Sequence, residues 1–234
     1  MTVADEPDGA RRGALSPTGA HAAFAPRWPV VFATALTALA GFLDAVGYIE
    51  LKHLYVSFMS GNSTHLGTAL GKGDWLDALA AGVIIASFVA GSFAGTLIGE
   101  RSVRFLVVAV LECELVLLLL AVALALGGRR HLALLPVAFA MGMQNTLHQV
   151  VVGADLGKSF ITGALFSLGQ SLARWARGRA SIVQPAAHLL SWTVFIGGAA
   201  LGAIVFVATG LAAALGCAAA ALAVAVAATS AGLL

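Results

Sequence analysis

The polar side chains that lie inside apolar stretches are where this chain could do chemistry. Asp44 lies near the end of the apolar run Pro29–Ile49, and Gly41, Asp44 and Tyr48 fall on one face of a helix at that spacing. A polar group in hydrocarbon is costly, so it needs a partner or a wet cavity. We therefore interpret Asp44 either as a proton or cation site, or as a buried packing residue paired to a hydroxyl or an amide.

A second polar group follows in the other half of the chain. Gln144 and Asn145 are followed one turn later by His148. An acid at position 44 that faces an amide at position 145 would form an asymmetric polar centre. His148 can titrate near neutral pH if water reaches it, and otherwise it is a hydrogen-bonded packing residue.

Two uncharged segments, Leu54–Gly71 and Ser159–Ala173, are rich in Ser, Thr and Gly. The segments Met59–Asn62 and Ile161–Ala164 are candidates for broken helices. Gly allows the backbone to leave the helical conformation, and polar side chains can satisfy the N–H and C=O groups that then lose their helical partners. Helix ends exposed in this way can bind ions or polar substrates. The alternative is a small-residue helix packed tightly against its neighbours. The candidate binding residues here are Ser60, Gly61, Asn62, His65, Thr162 and Gly163.

Glu112 and Glu114 lie within the apolar run Phe105–Gly127. Residues two apart on a helix point about 200° from each other, so the two carboxylates cannot share one ligand. We interpret one of them as a candidate proton site. The alternative is that one or both extend toward the membrane surface.

The elements that must position these groups are membrane helices. Hydrophobic residues make up 60% of the 234 residues and charged residues 10%, whereas soluble domains carry about 25% charged residues. The mean hydropathy is +0.95. No Asp, Glu, Lys or Arg occurs from Ala180 to Leu234, which is too long for one span of about 20 residues. This tail predicts two spans with a break near Gly210.

The sequence predicts an all-α polytopic transmembrane bundle of six spans, with two short or broken helices at the polar segments. The predicted spans are Pro29–Ile49, Ala78–Gly99, Phe105–Gly127, Leu132–Ala154, about Gln184–Val207, and Leu211–Ala231. Eight full spans are the alternative. A cytoplasmic amino terminus places most Lys and Arg residues inside in both arrangements, so charge bias predicts that orientation without fixing the number of spans. Six is preferred because Ser60–His65 would make a poor lipid-facing helix centre.

The chain also contains an internal repeat. Gly41–Asp44 matches Gly142–Asn145, Ser57–Gly61 matches Ser159–Gly163, and Phe88, Gly91 and Gly95 match Phe195, Gly198 and Gly202 at identical spacing. Two halves of three spans each must be inverted relative to one another, whereas halves of four spans would be parallel.

We expect a disordered extension at residues 1–28, a first membrane repeat at 29–130 and a second at 131–234.

Other classes of function lack their sequence signals. No catalytic template of a hydrolase, zinc protease or phosphate-loop enzyme is present, so no enzyme activity and no cofactor are expected. Cys113 and Cys217 lie in apolar runs and predict neither a disulfide nor a metal site. No basic patch with interleaved aromatic residues points to nucleic acid. Residues 1–28 lack the short apolar region of a signal peptide.

The motifs around the polar groups resemble those of a known family. Gly41–Ala45 followed by Phe58–Asn62 resembles the signature of the YoaK family of small bacterial membrane proteins, and Gly142–Asn145 with Phe160–Gly163 resembles its second motif. The resemblance extends from about Pro29 to the end. Ser60 stands where the family often has Thr, and it keeps the hydroxyl. The resemblance implies a bacterial inner-membrane location and about six spans, and it implies no activity.

The combined expectation is a small secondary transporter or permease for a small solute. The expected partners are the lipid bilayer and a small-molecule or ion substrate, with a homo-oligomer as an option and no nucleic acid. The alternative is a non-transporting membrane protein with a structural, sensory or assembly role.

Overall fold

The computed structural model describes residues 27–99, 103–152 and 160–231. Within these residues the chain is all-α, with eight helices and no strand, as the sequence predicts. The helices are α1 (Arg27–Glu50), α2 (Met59–Lys72), α3 (Trp75–Gly99), α4 (Val103–Leu126), α5 (Arg130–Val152), α6 (Phe160–Ala176), α7 (Val183–Thr209) and α8 (Leu211–Ser230). The expected amino-terminal extension lies outside the described residues, except that α1 begins at Arg27.

Five helices of the described chain are long and apolar enough to cross a membrane. They are Val31–Glu50, Trp75–Ile98, Val107–Leu126, Val183–Thr209 and Leu211–Ser230. The predicted break near Gly210 is confirmed, because α7 ends at Thr209 and α8 begins at Leu211. Gly210 has a φ of 83°, a left-handed conformation that glycine adopts without steric cost.

The sixth predicted span, Leu132–Ala154, coincides with α5 but is not among these five helices. Its 23 residues extend over about 35 Å, enough to cross a hydrocarbon core of about 30 Å. Its composition separates it from the other five, because Gln144, Asn145 and Thr146 interrupt the apolar residues. The described structure therefore contains five candidate spans, and the prediction of six is not confirmed.

The two polar segments form short helices. The 14 residues of α2 and the 17 of α6 extend over about 21 Å and 26 Å, less than the hydrocarbon thickness. Residues 51–58, which precede α2, are not helical. The helical break therefore lies before Met59, and Ser60–Asn62 forms the first turn of α2 instead of the break itself.

The helices α1 and α7 cross with their backbones in direct contact. A Cβ atom added to Gly41 would collide with the carbonyl oxygen of Phe195, and one added to Gly198 would collide with that of Ala38. Small residues that admit such close approach are typical of helix contacts in membranes.

The helices α3 and α5 form a second crossing of the same kind. A Cβ atom on Gly142 would collide with the carbonyl oxygen of Phe88, and one on Gly91 with that of Phe139. Each contact of the first crossing has its counterpart here: Gly41 corresponds to Gly142 in the repeat pattern, and Gly198 to Gly91. Each crossing therefore joins one helix of the first half to one of the second.

An ion pair relates the directions of α1 and α5. Nε of Arg130, at the start of α5, lies 2.9 Å from one oxygen of Glu50, at the end of α1, and a second guanidinium nitrogen lies 2.5 Å from the other oxygen. The pair with Glu50 raises the pKa of Arg130. Because the carboxyl end of α1 meets the amino end of α5, the two helices run in opposite directions.

Candidate functional site

A cavity of about 420 Å³ lies between α1, the non-helical segment 51–58, the start of α6 and the middle of α7. Its volume is within the range of small-molecule sites. Its polar lining consists of Asp44, Tyr48, Tyr55, Ser57 and Thr162. The first half of the chain contributes four of these residues and the second half contributes Thr162, so the cavity lies between the two halves.

The rest of the cavity lining is apolar. Phe195, Ala199 and Ala203 of α7 line it, together with Ile161 of α6 and Phe58 of the non-helical segment. Phe58 is the residue before α2, and Ile161 lies in the first turn of α6. The amino ends of both short helices therefore reach the same cavity.

Asp44 fixes the non-helical segment to α1. Its Oδ1 accepts hydrogen bonds from the backbone N–H groups of Val56, at 2.9 Å, and Ser57, at 2.7 Å. Its Oδ2 accepts the hydroxyl of Ser57 at 2.6 Å. Asp44 is 3% exposed. Both oxygens are thus engaged by the protein, and Asp44 lies at the wall of the cavity.

Asn62 holds the neighbouring residue of the same segment. Its Oδ1 accepts the backbone N–H of Tyr55 at 2.8 Å, and its Nδ2 donates to the Tyr55 carbonyl at 2.7 Å. Asn62 is fully buried. The amide thus satisfies both backbone groups of a residue that no helix or strand can satisfy.

Aromatic rings line one side of the cavity. The ring centroid of Tyr55 lies 5.0 Å from that of Tyr48 and 5.2 Å from that of Phe58. Gly61 leaves room for this cluster, because a Cβ atom there would lie 2.6 Å from the Phe58 ring. Burial, followed by unfavourable electrostatic interaction with Tyr48 and Asp44, raises the pKa of the Tyr55 phenol, so the phenol is neutral at physiological pH.

Gln144 belongs to a different buried cluster. Its Nε2 donates to Oε1 of Glu114 at 3.2 Å, and both side chains are buried between α4 and α5. Glu112, two residues earlier on α4, is exposed. The two glutamates therefore face different surroundings, as their spacing predicts.

Three further sequence candidates lie away from the cavity lining. Ser60 is exposed on α2, and His65 is half-buried with its Nε2 3.9 Å from the carboxylate of Asp77. Asn145 donates to the carbonyl of Met141, one turn earlier on its own helix, at 3.1 Å. The expected polar centre of Asp44 and Asn145 is therefore not formed by contacts that the structure describes.

The last two candidates are Gly163 and His148. Gly163 follows Thr162 in α6. The backbone of His148 belongs to α5, whereas its side chain lies outside the described residues. The structure thus brings Asp44, Tyr48 and Thr162 together at one cavity.

Sequence reasoning missed part of the site. Tyr55, Ser57 and Phe58 line the cavity, but hydropathy gives no signal for the non-helical segment that carries them. Ser57 and Phe58 do belong to the repeated motif beside Ser60–Asn62, and that repetition was the available signal. The lining residues of α7 lie beside Gly198 and Gly202, and the repeated spacing of these glycines is the one sequence signal for them. Within the described part of the chain, no three His, Cys, Asp or Glu side chains are grouped as metal ligands.

Comparisons with known proteins cover almost the whole helical region. Residues 32–228 match the family described as "Protein of unknown function (DUF1275)". The chain is 35% identical over 170 residues to the UPF0700 transmembrane protein RA0705 of Rhizobium meliloti (strain 1021), which covers 73% of this chain and 72% of that protein. It is 26% identical over 136 residues to the UPF0700 transmembrane protein YoaK of Bacillus subtilis (strain 168), which covers 55% of this chain and 60% of that protein. No solved structure matches the chain.

Proposed function

The chain belongs to the DUF1275 family, and on that premise we propose that it is a small permease that carries a small solute across the bacterial inner membrane. The relatives named above are transmembrane proteins, and five helices here can cross a membrane, so the chain is a multi-pass membrane protein. The predicted resemblance to the YoaK family is confirmed. Transport itself is the proposal.

The observation that carries the proposal is the position of the cavity. Its walls come from both halves of the chain, and the amino ends of α2 and α6 meet there. Solute sites in secondary transporters lie at the interface of two repeats, at the ends of discontinuous helices. A packing protein would need no such space between its halves.

We further propose that the halves, residues 29–130 and 131–234, are inverted repeats in which α5 is the sixth span. The two glycine crossings support the repeat, because the α1 and α7 contacts recur between α5 and α3. The Glu50–Arg130 pair supports the inversion, because it requires α1 and α5 to run in opposite directions. The amino terminus is cytoplasmic in this arrangement.

Labelling from the two sides of the membrane tests the inversion. Arg129 and Arg177 are exposed in the turns after α4 and α6. In a Cys113→Ser, Cys217→Ser background, Arg129→Cys and Arg177→Cys are expected to react with an impermeant maleimide from opposite sides. Reaction of both from the same side would contradict the inverted arrangement, since it would mean that α5 does not cross alone between them.

Solute entry into proteoliposomes tests transport. The probe is a defined mixture of amino acids, sugars, polyols and amines, with the lumen analysed by mass spectrometry. We expect at least one compound to enter faster than in protein-free liposomes, and Ala203→Trp, which fills the cavity, to slow its entry at least about tenfold. Leu201→Trp is the matched control, since Leu201 lies on α7 and is 55% exposed.

The alternative is a non-transporting structural, sensory or assembly protein. The bonds that Asp44 and Asn62 make within the protein favour it. It would be supported if no compound of the mixture entered faster than in protein-free liposomes. In both proposals the chain is not an enzyme.

A further inference from the structure

The cavity holds one negative charge and no positive one among its described lining residues. Among the described lining residues, Asp44 is the one Asp or Glu, and none is Lys, Arg or His. The nearby cation Arg130 is paired to Glu50. The segment 51–58 also carries Lys52 and His53, which do not line the cavity, and the His53 ring packs edge-on against Tyr48 at 4.9 Å. A solute in this cavity therefore meets the negative charge of Asp44 and no positive charge among the described lining residues.

Four aromatic rings surround the same space. Tyr48, Tyr55 and Phe58 form a continuous cluster, and Phe195 lies on the α7 wall. The faces of aromatic rings attract cations within about 6 Å of the ring centroid, and the attraction grows when water is excluded. A cluster of aromatic rings is the pattern by which proteins recognise quaternary ammonium groups such as that of choline.

We propose that the cavity binds a small organic cation, a substituted or quaternary ammonium whose head lies against the aromatic cluster with Asp44 as its counter-charge. As the identity of a transported solute, this inference rests on the proposed function; as binding, it does not. Ala199 and Ala203 provide an apolar wall for the alkyl groups of such a cation.

An inorganic cation fits the cavity less well. Hard cations need several oxygen ligands, up to eight for Ca²⁺. Both oxygens of Asp44 already accept hydrogen bonds from Val56 and Ser57. No group of three metal-ligating His, Cys, Asp or Glu side chains occurs in the described part of the chain. An alkylated ammonium group needs no direct ligand from Asp44. It can be held by the long-range attraction of the Asp44 charge and by contacts with the aromatic rings.

The test compares two molecules that differ in charge alone. Choline and its uncharged carbon isostere, 3,3-dimethylbutan-1-ol, are titrated by calorimetry onto the full-length protein in nanodiscs of phosphatidylglycerol, a lipid whose headgroup contains no ammonium group. We expect choline to bind at least about tenfold more tightly. Equal binding of the two would overturn the cation inference while leaving the cavity as a solute site. Absence of choline binding would also overturn it.

Variants separate charge and ring from folding. Asp44→Asn keeps an oxygen for the two backbone N–H groups and removes the charge, so we expect it to weaken choline binding about tenfold or more without altering binding of the neutral alcohol. Tyr48→Leu is expected to do the same, and Tyr48→Phe to retain binding because it keeps the ring. Asp77→Asn, which removes an exposed acid outside the cavity, is the matched charge control. Loss of affinity in Asp77→Asn equal to that in Asp44→Asn would contradict the proposal.

The cationic group could reach the cavity as a free solute or as a lipid headgroup. Repeating the titration in nanodiscs that contain phosphatidylcholine distinguishes them. Competition by this lipid assigns the site to a choline headgroup, and its absence assigns it to the free cation; both outcomes retain cation recognition. Binding can succeed while the proteoliposome experiment finds no entry, so this inference and the permease proposal fail separately.

Discussion

Asp44 and Glu114 are both buried carboxylates in apolar helices, yet their surroundings differ. Asp44 accepts three hydrogen bonds, from two backbone N–H groups and one hydroxyl. Oε1 of Glu114 accepts one bond from Gln144, and its Oε2 is buried with no hydrogen-bond partner among the described residues. Burial of an acid therefore does not define its role, and the donors that surround it do.

The position of each acid along its helix explains the difference. Asp44 lies near the end of α1, beside a non-helical segment in which the N–H groups of Val56 and Ser57 donate to its carboxylate instead of to a helix carbonyl. Glu114 lies in the middle of α4, where neighbouring backbone donors are used by the helices. Only a side chain can therefore donate a hydrogen bond to Glu114, and Gln144 makes that bond.

The largest expected effect is that of Asp44→Ala. The substitution leaves two backbone N–H groups and the Ser57 hydroxyl without their acceptor, and each such group costs about 1–3 kcal/mol. We expect the free energy of unfolding to fall by about 3 kcal/mol or more. Thermal or denaturant unfolding in detergent measures it, with Asp44→Asn as the control that keeps an acceptor. An effect of Asp44→Ala no larger than that of Asp44→Asn would contradict the assignment.

An intermediate effect is expected at Asn62, which supports the same segment with a neutral side chain. Asn62→Leu leaves the N–H and the carbonyl of Tyr55 unpaired, for a loss of about 2 kcal/mol. Ser63→Ala, on the exposed face of the same helix, is the control and should lie within about 0.5 kcal/mol of the native protein. If both variants lost the same stability, the two hydrogen bonds from Asn62 to the Tyr55 backbone would not explain the loss.

The smallest effect is expected at Glu114. Glu114→Gln keeps an oxygen for Gln144 and replaces the unpartnered carboxylate oxygen by an uncharged group. Because the substitution keeps the size of the side chain and the acceptor for Gln144, and removes an oxygen that has no hydrogen-bond partner among the described residues, we expect the free energy of unfolding to change by no more than about 1 kcal/mol. A loss as large as that of Asp44→Ala would erase the contrast between the two acids.

Much of the fold could be predicted because hydropathy and length report helices directly. The break at Gly210 and the two short polar helices follow from composition. The count of spans did not follow, because α5 combines a spanning length with buried amides such as Gln144. A pattern based on apolarity alone cannot decide whether such a helix faces lipid or protein.

The site was predictable only in part. Asp44, Tyr48 and Thr162 stand out by residue type, and all three line the cavity. Tyr55 and Ser57 do not stand out, because the backbone path of residues 51–58 determines where they lie. Asn145 stands out but turns to the carbonyl of Met141, a choice of side-chain rotamer that residue spacing does not reveal.

The glycine crossings also have a consequence for biosynthesis. Gly41 packs against Phe195, about 150 residues later in the chain. At a synthesis rate of about 5–20 residues per second, α1 is therefore made roughly 8–30 seconds before its partner α7. During that interval the surface around Gly41, which later packs against α7, is exposed to lipid or to an insertion factor. The first half cannot complete its folding before the second half leaves the ribosome. A truncated first half would enter the membrane with the packing surfaces around Gly41 and Gly91 uncovered.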